Sequence, residues 1–278
     1  MKKLLLYLTA TVFSVTYAAD SLSTLSIESV YSEGNFGTDY TTKAYYVPVV
    51  GTYRQGQFST SIAVPYLKLD SEGSVTWTDG GLVPISPSKP SDTRSVPTSP
   101  KAYDPFALPD DATTTLTPTK TEGLGDVLLN VGYTFLPAKK ILLKTSATMK
   151  VATADENKGL GTGEHDYSAQ VDLFSSHGQV FFGASAGYTL TGDPDLFKYN
   201  DVFYSNLSAG YNIATGFHAG VNYYYRQALF DSVDDVKNIS PYLSYKVLDT
   251  LKVQLRYTRG LSDSTADNEY ALMFIYKL

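Results

Sequence analysis

The sequence predicts an all-β chain that forms a transmembrane, antiparallel, up-and-down β-barrel of about 12 strands with a long proline-rich extracellular loop. Three observations favour this fold class. Apolar and polar residues alternate along most segments, short turns alternate with long polar loops, and the chain ends in a strand with one apolar face. A closed barrel is the only sheet that satisfies all of its backbone groups in lipid. A soluble β-sandwich would also have short strands, but it would not sort its loops by length in this way.

The N-terminal segment has the pattern of a secretory signal. Two lysines precede an apolar run over residues 4–15, and Ala18 closes a cleavage tripeptide. The apolar run is too short to span a bilayer as a helix. We therefore expect residues 1–18 to be a signal peptide that is cleaved near Ala18. Residues 19–278 are then expected to form one barrel in the bacterial outer membrane.

The period-two alternation predicts where the strands lie, because successive side chains of a strand point to opposite faces. Twelve segments follow this pattern: 22–31, 42–53, 57–69, 124–135, 139–151, 165–175, 179–190, 202–212, 215–227, 237–247, 251–261 and 269–278. The alternation predicts an apolar face toward lipid and a polar face toward the inside of the barrel.

The connections between these segments alternate in length. Tight turns occur at 54–57, 136–139, 176–178, 212–215 and 247–250. Longer polar loops rich in Gly and Asp lie between them, at 32–41, 70–123, 152–164, 191–201, 228–236 and 262–268. Short periplasmic turns and long extracellular loops are typical of outer-membrane barrels. This arrangement predicts that both termini and all the short turns face the periplasm.

The loop 70–123, between the third and fourth strands, differs from the others in length and composition. It contains the single tryptophan, Trp77, and the prolines Pro84, Pro87, Pro90, Pro97, Pro100, Pro105, Pro109 and Pro118. Such a segment cannot pair as a central strand. Two interpretations stay open: a disordered surface loop, or a lid or plug in the mouth of the barrel, anchored by Trp77, Tyr103, Phe106 and Leu108.

The last segment is predicted to be the closing strand of the barrel. Its alternate positions place large apolar residues on one face toward lipid: Tyr270, Leu272, Phe274, Tyr276 and Leu278. We expect this face to be recognised by the outer-membrane assembly machinery. The usual terminal residue of such a strand is aromatic, and Leu278 departs from that pattern.

Charged residues on the inward face of strands four to six are the first candidates to line a pore. They are Asp126, Lys144, Lys150, Asp166 and Asp172. Counting back from the turn between the fourth and fifth strands sets Asp126 opposite Lys150, with Asp166 at the same height on the next strand. This predicts an acid–base–acid ladder at the extracellular rim. The ladder could be a structural salt bridge, or it could orient a substrate.

The inward face of strands nine to eleven supplies the other pore-lining candidates: His218, Arg226, Tyr242, Lys246, Lys252 and Arg256. Lys246 and Lys252 are expected to be direct cross-strand neighbours, which is destabilising unless the charges are screened. Either Asp249 and water screen them, or an anion passes between them. Both possibilities predict a hydrated lumen with a basic wall.

The size of such a barrel limits what could pass through it. Twelve strands about 4.7 Å apart and tilted by about 40° give a backbone radius of roughly 12 Å. Side chains narrow this to a passage for small solutes, which excludes a protein-conducting pore.

Composition excludes several other classes of function. The formal net charge of −6 makes the chain a poor partner for nucleic acid. With 0 cysteines and 3 histidines, it has no disulfide framework, no thiolate site and no evident metal cluster. We assign no catalytic residues, no metal ligands and no cofactor.

Arg259 is the one charged residue singled out on the lipid face. In the period-two alternation it lies on the same face as Leu255 and Tyr257, close to the extracellular rim. Its side chain could extend to the polar interface, or it could contact a phosphate of lipopolysaccharide, and the two are compatible. The expected partners are therefore the lipid bilayer, lipopolysaccharide and a small-molecule solute.

Several glycine-rich motifs resemble those of a known family. In order they are EGLGD at 122–126, KVATAD at 150–155, GLGTG at 159–163, DY at 166–167, YTLTGDP at 188–194 and GLSD at 260–263. Together they are similar to the family named for the meta-pathway of phenol degradation, a group of outer-membrane transporters, over residues 122–278. This chain has Ala152 and Ala154 where the family pattern has Pro and Gly. The resemblance implies a β-barrel and uptake of small, often aromatic or hydrophobic compounds.

Three functions are therefore weighed. The first is a channel or transporter that passes a small solute through a polar lumen. The second is a barrel enzyme that hydrolyses lipid, with His165 near the outer rim as its catalytic histidine. The third is a closed structural or adhesive barrel that acts through its extracellular loops, above all 70–123.

Overall fold

The computed structural model describes residues 21–36, 41–71, 75–78, 81–84, 119–138, 141–193, 198–231 and 233–278. The expected signal peptide and much of the proline-rich loop lie outside these residues. Within them the strands are β1 Ser21–Gly34, β2 Thr42–Gln55, β3 Phe58–Ser71, β4 Val75–Thr78, β5 Gly81–Pro84, β6 Thr119–Leu124, β7 Val127–Ala138, β8 Ile141–Val151, β9 Asp166–His177, β10 Val180–Leu190, β11 Val202–Ala214, β12 Phe217–Arg226, β13 Val236–Lys246, β14 Leu251–Gly260 and β15 Asn268–Lys277. A 3-10 helix spans Glu156–Lys158. No helix in the described part of the chain is long and apolar enough to cross a membrane.

The barrel strands form one closed antiparallel ring. Each strand pairs with the next along the chain, and β1 closes the ring by pairing with β15 from Thr24–Lys277 to Glu33–Asn268. Strand β3 pairs with β2 on one edge and with both β6 and β7 on the other. Because β6 and β7 share one edge of β3, they act as a single interrupted strand. The ring therefore has the twelve strands that the alternation predicted.

The predicted bounds of the loop, 70–123, include residues that belong to strands at both ends. Strand β3 continues to Ser71, and β6 begins at Thr119. Two ion pairs link these extensions across the β3–β6 edge, Lys68–Glu122 at 3.3 Å and Lys120–Asp70 at 3.2 Å. Inside the same segment, β4 and β5 pair with each other as a separate two-stranded sheet. Trp77 lies on β4, whereas the other expected anchors, Tyr103, Phe106 and Leu108, lie outside the described residues.

The two ends of the barrel differ in their connections. Short turns join β2 to β3, β7 to β8, β9 to β10, β11 to β12 and β13 to β14, and we call this side the turn end. The longer connections, including 152–165 between β8 and β9, lie at the opposite side, which we call the loop end. The first residue of β1 and the last residue of β15 both lie at the turn end, because these strands pair antiparallel from Thr24–Lys277 onward.

The two faces of the sheet carry different side chains. Outward positions are large, apolar and exposed, with Leu207 at 60% and Val131 at 59%. Inward positions on the same strands are mostly small or polar and buried, such as Asn206 beside Leu207. A polar interior and an apolar exterior are typical of a barrel that has lipid outside and water inside. The period-two alternation in the sequence therefore predicted correctly which side chains face outward and which face inward.

This sorting predicts that an outward charge is costly in proportion to its depth in the membrane. Leu207 lies in the middle of β11 and Ile213 lies near its turn end, and both face outward. We expect Leu207→Arg to lower the free energy of unfolding by about 2–4 kcal/mol, and Ile213→Arg by about 0–1 kcal/mol. Guanidinium unfolding in phosphatidylcholine vesicles measures both. Equal losses for the two variants would contradict the assigned lipid face.

Candidate functional site

The barrel interior is the candidate site, because it collects the charged and polar residues of every strand. Of the predicted pore-lining residues, these are buried inside the barrel: Asp126, Lys144, Lys150, Asp166, Asp172, Arg226, Tyr242 and Arg256. The remaining three lie nearer the turn end, where His218 and Lys252 are half-buried and Lys246 is exposed. In the cross-strand register, Lys144 lies directly opposite Asp172.

Lys150 is the centre of an ionic group at the loop end of the interior. Its Nζ lies 3.0 Å from Asp166 Oδ2 and 3.5 Å from Asp126 Oδ2. It also donates a hydrogen bond to Thr162 Oγ1 at 2.7 Å. Lys150 is therefore held by two carboxylates and one hydroxyl group. The acid–base–acid group is almost fully buried, which makes it a rigid element of the loop end.

The register of this group differs from the expected one. Lys150 pairs across the ladder with Leu128, and Asp126 precedes the first residue of β7. Strand β7 continues to Ala138 and β8 begins at Ile141, so the connection lies beyond the predicted turn at 136–139, and the count that placed Asp126 opposite Lys150 is displaced. The displacement is even, so Asp126 keeps its inward direction and reaches Lys150 diagonally.

Backbone amides compensate the excess negative charge of this group. Asp126 Oδ1 accepts hydrogen bonds from the amides of Thr153 and Ala154, both at 3.0 Å. Asp166 Oδ1 accepts one from the amide of Gly192 at 2.9 Å. Since Asp126 follows β6, Thr153 follows β8 and Gly192 follows β10, the group ties three connections at the loop end to the barrel wall.

The glycine-rich motifs pack tightly around the same group. A Cβ on Gly161 would lie 2.8 Å from Asp126 Oδ2, and one on Gly123 would lie 2.8 Å from Leu160 Cδ1. Leu160 is buried in the apolar cluster of the interior. The loop between β8 and β9 thus folds inward, and glycines are needed where it meets the wall.

A second acid–base–acid group was missed by sequence reasoning. Arg256 on β14 forms ion pairs with Glu28 on β1 at 3.1 Å and with Glu269 on β15 at 3.2 Å. The inward parity of Glu28, between Ser26 and Val30, could have indicated it. The predicted basic wall is therefore interrupted, because Arg256 lies between two carboxylates rather than beside open lumen.

The basic residues at the turn end follow the predicted register. Lys246 and Lys252 are direct cross-strand partners. Lys246 Nζ lies 2.6 Å from Asp249 Oδ1 in the adjoining turn. This hydrogen bond lowers the pKa of the exposed Asp249 carboxyl. His218 packs edge-to-face on Phe181, with ring centroids 6.1 Å apart.

The interior has one apolar side. A cluster of inward residues from β15, β1, β2, β3 and β7 forms what we call the apolar wall: Val30, Tyr46, Val50, Ala63, Leu67, Leu128, Ala271, Met273 and Ile275. Apolar side chains at inward positions are unusual for a barrel that passes only ions. They pack on one another and on Leu160 as an apolar cluster inside the barrel.

The opposite side is polar, and many of its groups have no protein partner. Within the described residues, buried polar atoms without a hydrogen-bond partner occur on β10 to β14, in Ser185, Asn222, Arg226, Asn238, Ser244 and Gln254. We call this surface the polar wall. An unsatisfied buried polar group costs about 1–3 kcal/mol in a dry core. The polar wall therefore requires solvent or solute as its partner.

Large aromatic side chains lie flat along the polar wall because glycines face them. A Cβ on Gly187 would lie 2.3 Å from the ring of Tyr204, and one on Gly220 would lie 2.6 Å from the ring of Tyr242. Each glycine is on a strand next to its aromatic residue. Each ring therefore lies over the glycine of the adjacent strand instead of projecting across the barrel.

Two residues considered for other roles lie outside the interior. The Nδ1 atom of His165 accepts a hydrogen bond from the amide of Ala152 at 3.2 Å. This nitrogen is therefore bonded to the backbone of the connection between β8 and β9. Arg259 is half-exposed on the outer face and donates to the carbonyl of Asp267 and to Asn268 Oδ1, both at 3.1 Å.

Comparisons with known proteins agree with this architecture. The sequence matches the family described as "Putative MetA-pathway of phenol degradation" over residues 28–275. A search of curated proteins found no relative with significant sequence similarity. An outer membrane channel from Pseudomonas putida F1 is similar in structure, with a TM-score of 0.70 and 11% identity over 94% of this chain and 97% of that one. The KdgM porin has a TM-score of 0.53 and 7% identity, covering 91% of this chain and 99% of that one. At these identities the similarity shows the fold alone.

The ionic group around Lys150 predicts a large effect from removing its cation. Lys150→Met leaves two buried carboxylates without a counter-charge, and we expect unfolding free energy to fall by about 3–5 kcal/mol. The matched control is Lys158→Met, which removes the exposed ion pair with Asp155 and should cost about 0–1 kcal/mol. Guanidinium unfolding in vesicles measures both variants. Similar small losses would show that the buried group does not stabilise the loop end.

Proposed function

Since the chain belongs to the MetA-pathway family, whose match extends over residues 28–275, we propose that it is an outer-membrane channel for small solutes with an apolar or aromatic body. The observation that carries this proposal is the polar wall of β10 to β14, whose buried polar atoms lack protein partners within the described residues. A dry, closed core would not retain such atoms. A hydrated passage provides the partners that they need.

The two walls together support the choice of solute. The apolar wall can contact the body of an aromatic or hydrophobic molecule, while the polar wall can hydrate it or bond to a polar substituent. Ligand sites in proteins commonly combine a largely apolar lining with a few polar groups that fix orientation. The P. putida protein with the same fold is an outer membrane channel, which supports the same activity here.

The location of the chain follows from this role. We place the loop end outside the cell and the turn end in the periplasm, after removal of a signal peptide near Ala18. The outward residues of β15, from Tyr270 to Tyr276, together with Leu278 after its end, are assigned to recognition by the assembly machinery. Arg259, exposed near the loop end, is assigned to contact with lipopolysaccharide.

The test of this function is single-channel recording of the purified mature protein in a planar bilayer. We expect discrete, ion-selective openings. A variant that lacks residues 85–118 is recorded in parallel, and current from this variant alone would assign a closing role to that segment while still establishing a channel. Silence from both proteins would contradict the proposed function and favour a structural or adhesive barrel.

The opposite faces of one strand provide a second prediction. Ser185 points inward on β10 and its neighbour Ala186 points outward. The chain contains no natural cysteine that could interfere with labelling. We expect a charged, water-soluble methanethiosulfonate reagent to reduce the conductance of Ser185→Cys and to leave that of Ala186→Cys unchanged. Block of both variants, or of neither, would show that solutes do not pass along the inward face.

A further inference from the structure

Arg226 differs from the other buried cations of the interior. It is the last residue of β12, points inward, and has no exposed surface. In the described part of the chain, its Nε, Nη1 and Nη2 atoms have no hydrogen-bond partner. Lys150 and Arg256, by contrast, each form ion pairs with two carboxylates. An uncompensated buried charge costs several kcal/mol, about 3–5 where a partner has been removed. Arg226 therefore requires an anion.

No acidic residue faces Arg226 from the surrounding strands. The inward positions of β10, β11, β12 and β13 contain no Asp or Glu over their described lengths. Arg226 pairs with Tyr204 on β11 and with Val236 on β13. The anion that satisfies the guanidinium must then come from outside these strands.

Neighbouring amides on the polar wall provide further donors. Asn238 is fully buried, lies diagonally across from Arg226 in the β12–β13 register, and its Nδ2 has no partner within the described residues. Asn222, four residues before Arg226 on the same inward face, has both side-chain polar atoms unpartnered in the same way. Diagonal neighbours in a sheet are about 7–8 Å apart, close enough for two side chains to bind one small ligand.

Apolar and aromatic side chains surround this cluster of donors. Tyr204, Tyr224 and Val236 form a buried cluster beside Arg226. Beyond the ends of β11 and β12, Tyr199 packs on Phe230 with ring centroids 5.0 Å apart. Arg226 therefore lies among aromatic rings as well as amides. Such surroundings favour a planar molecule with a polar group over a hydrated inorganic ion.

We infer that Arg226, together with Asn238, is the recognition site for the carboxylate of a small aromatic acid on its way through the barrel. This inference rests on the proposed channel function and narrows its solute class. A guanidinium binds a carboxylate through two parallel hydrogen bonds, and the Asn238 amide can donate a third. The aromatic body then lies against Tyr204 and Tyr224, and the bound anion neutralises the buried charge.

The test is isothermal titration calorimetry of the folded protein in detergent, with sodium benzoate as the anionic probe and benzamide as its neutral counterpart. We expect benzoate to bind and benzamide to bind at least about 10-fold more weakly, because only the carboxylate pairs with the guanidinium. Arg226→Gln should weaken benzoate binding by about 10-fold to 100-fold. Arg226→Lys should restore part of it, since the charge returns without the bidentate geometry.

The matched control is Arg259→Gln, which removes an exposed arginine from the outer face of the same barrel and should leave benzoate binding unchanged. Heat-dependent mobility on SDS gels shows that each variant is folded. Three results would overturn the inference: no benzoate binding to the wild type, equal binding of benzamide, or unchanged binding in folded Arg226→Gln.

Channel recordings on the same preparations separate this inference from the proposed function. If ionic current is present but benzoate does not bind, the result supports the proposed channel function and contradicts the Arg226 site. If benzoate binds and its binding depends on Arg226 while no current is seen, the result supports the Arg226 site and contradicts passage through the barrel. Added sodium sulfate should not displace benzoate at equal concentration. Equal displacement by sulfate would contradict a site for aromatic acids.

Discussion

Closure of the sheet is the constraint on which the rest of this structure depends. A strand in lipid has no water to satisfy its backbone, so every edge must find a partner. The pairing of β1 with β15 removes the last two edges and brings the two ends of the described chain together. Once the ring is closed, the two faces of each strand become an outside and an inside. The same alternation then places Leu207 in lipid and Asn206 in the interior.

The charged interior is organised by whether each cation has carboxylate partners. Lys150 and Arg256 are each held between two acids on neighbouring elements, so they act as fixed parts of the wall. The Lys150 group also holds the glycine-rich connections inward, because backbone amides of these connections donate hydrogen bonds to Asp126 and Asp166. These hydrogen bonds shape the loop end. Arg226 has no such acids facing it from the strands around it. Lys150, Arg256 and Arg226 are all inward-facing cations in the sequence, but the first two are structural and Arg226 is the one proposed to bind a solute.

Sequence patterns predicted much of the fold and part of the site. Alternation located the twelve strands, and parity alone put Asp126, Lys150 and Asp166 on the inward face. The same reasoning misjudged the pairing of Asp126, because β7 continues past the predicted turn to Ala138, and a displaced turn shifts the register of all residues beyond it. It also treated the ends of the loop 70–123 as unpaired, because the ion pairs that extend β3 and β6 join residues about fifty positions apart.

The sequence by itself determined which side chains face lipid and which face inward, because period two is a local property of an extended chain. Only the tertiary structure decided which inward residues meet. Glu28 lies near the start of the barrel, and Arg256 and Glu269 lie near its end, so their contact exists only because the ring closes between β1 and β15. The tyrosines and amides around Arg226 come from β11, β12 and β13, and the register between these strands, not any local motif, brings them together.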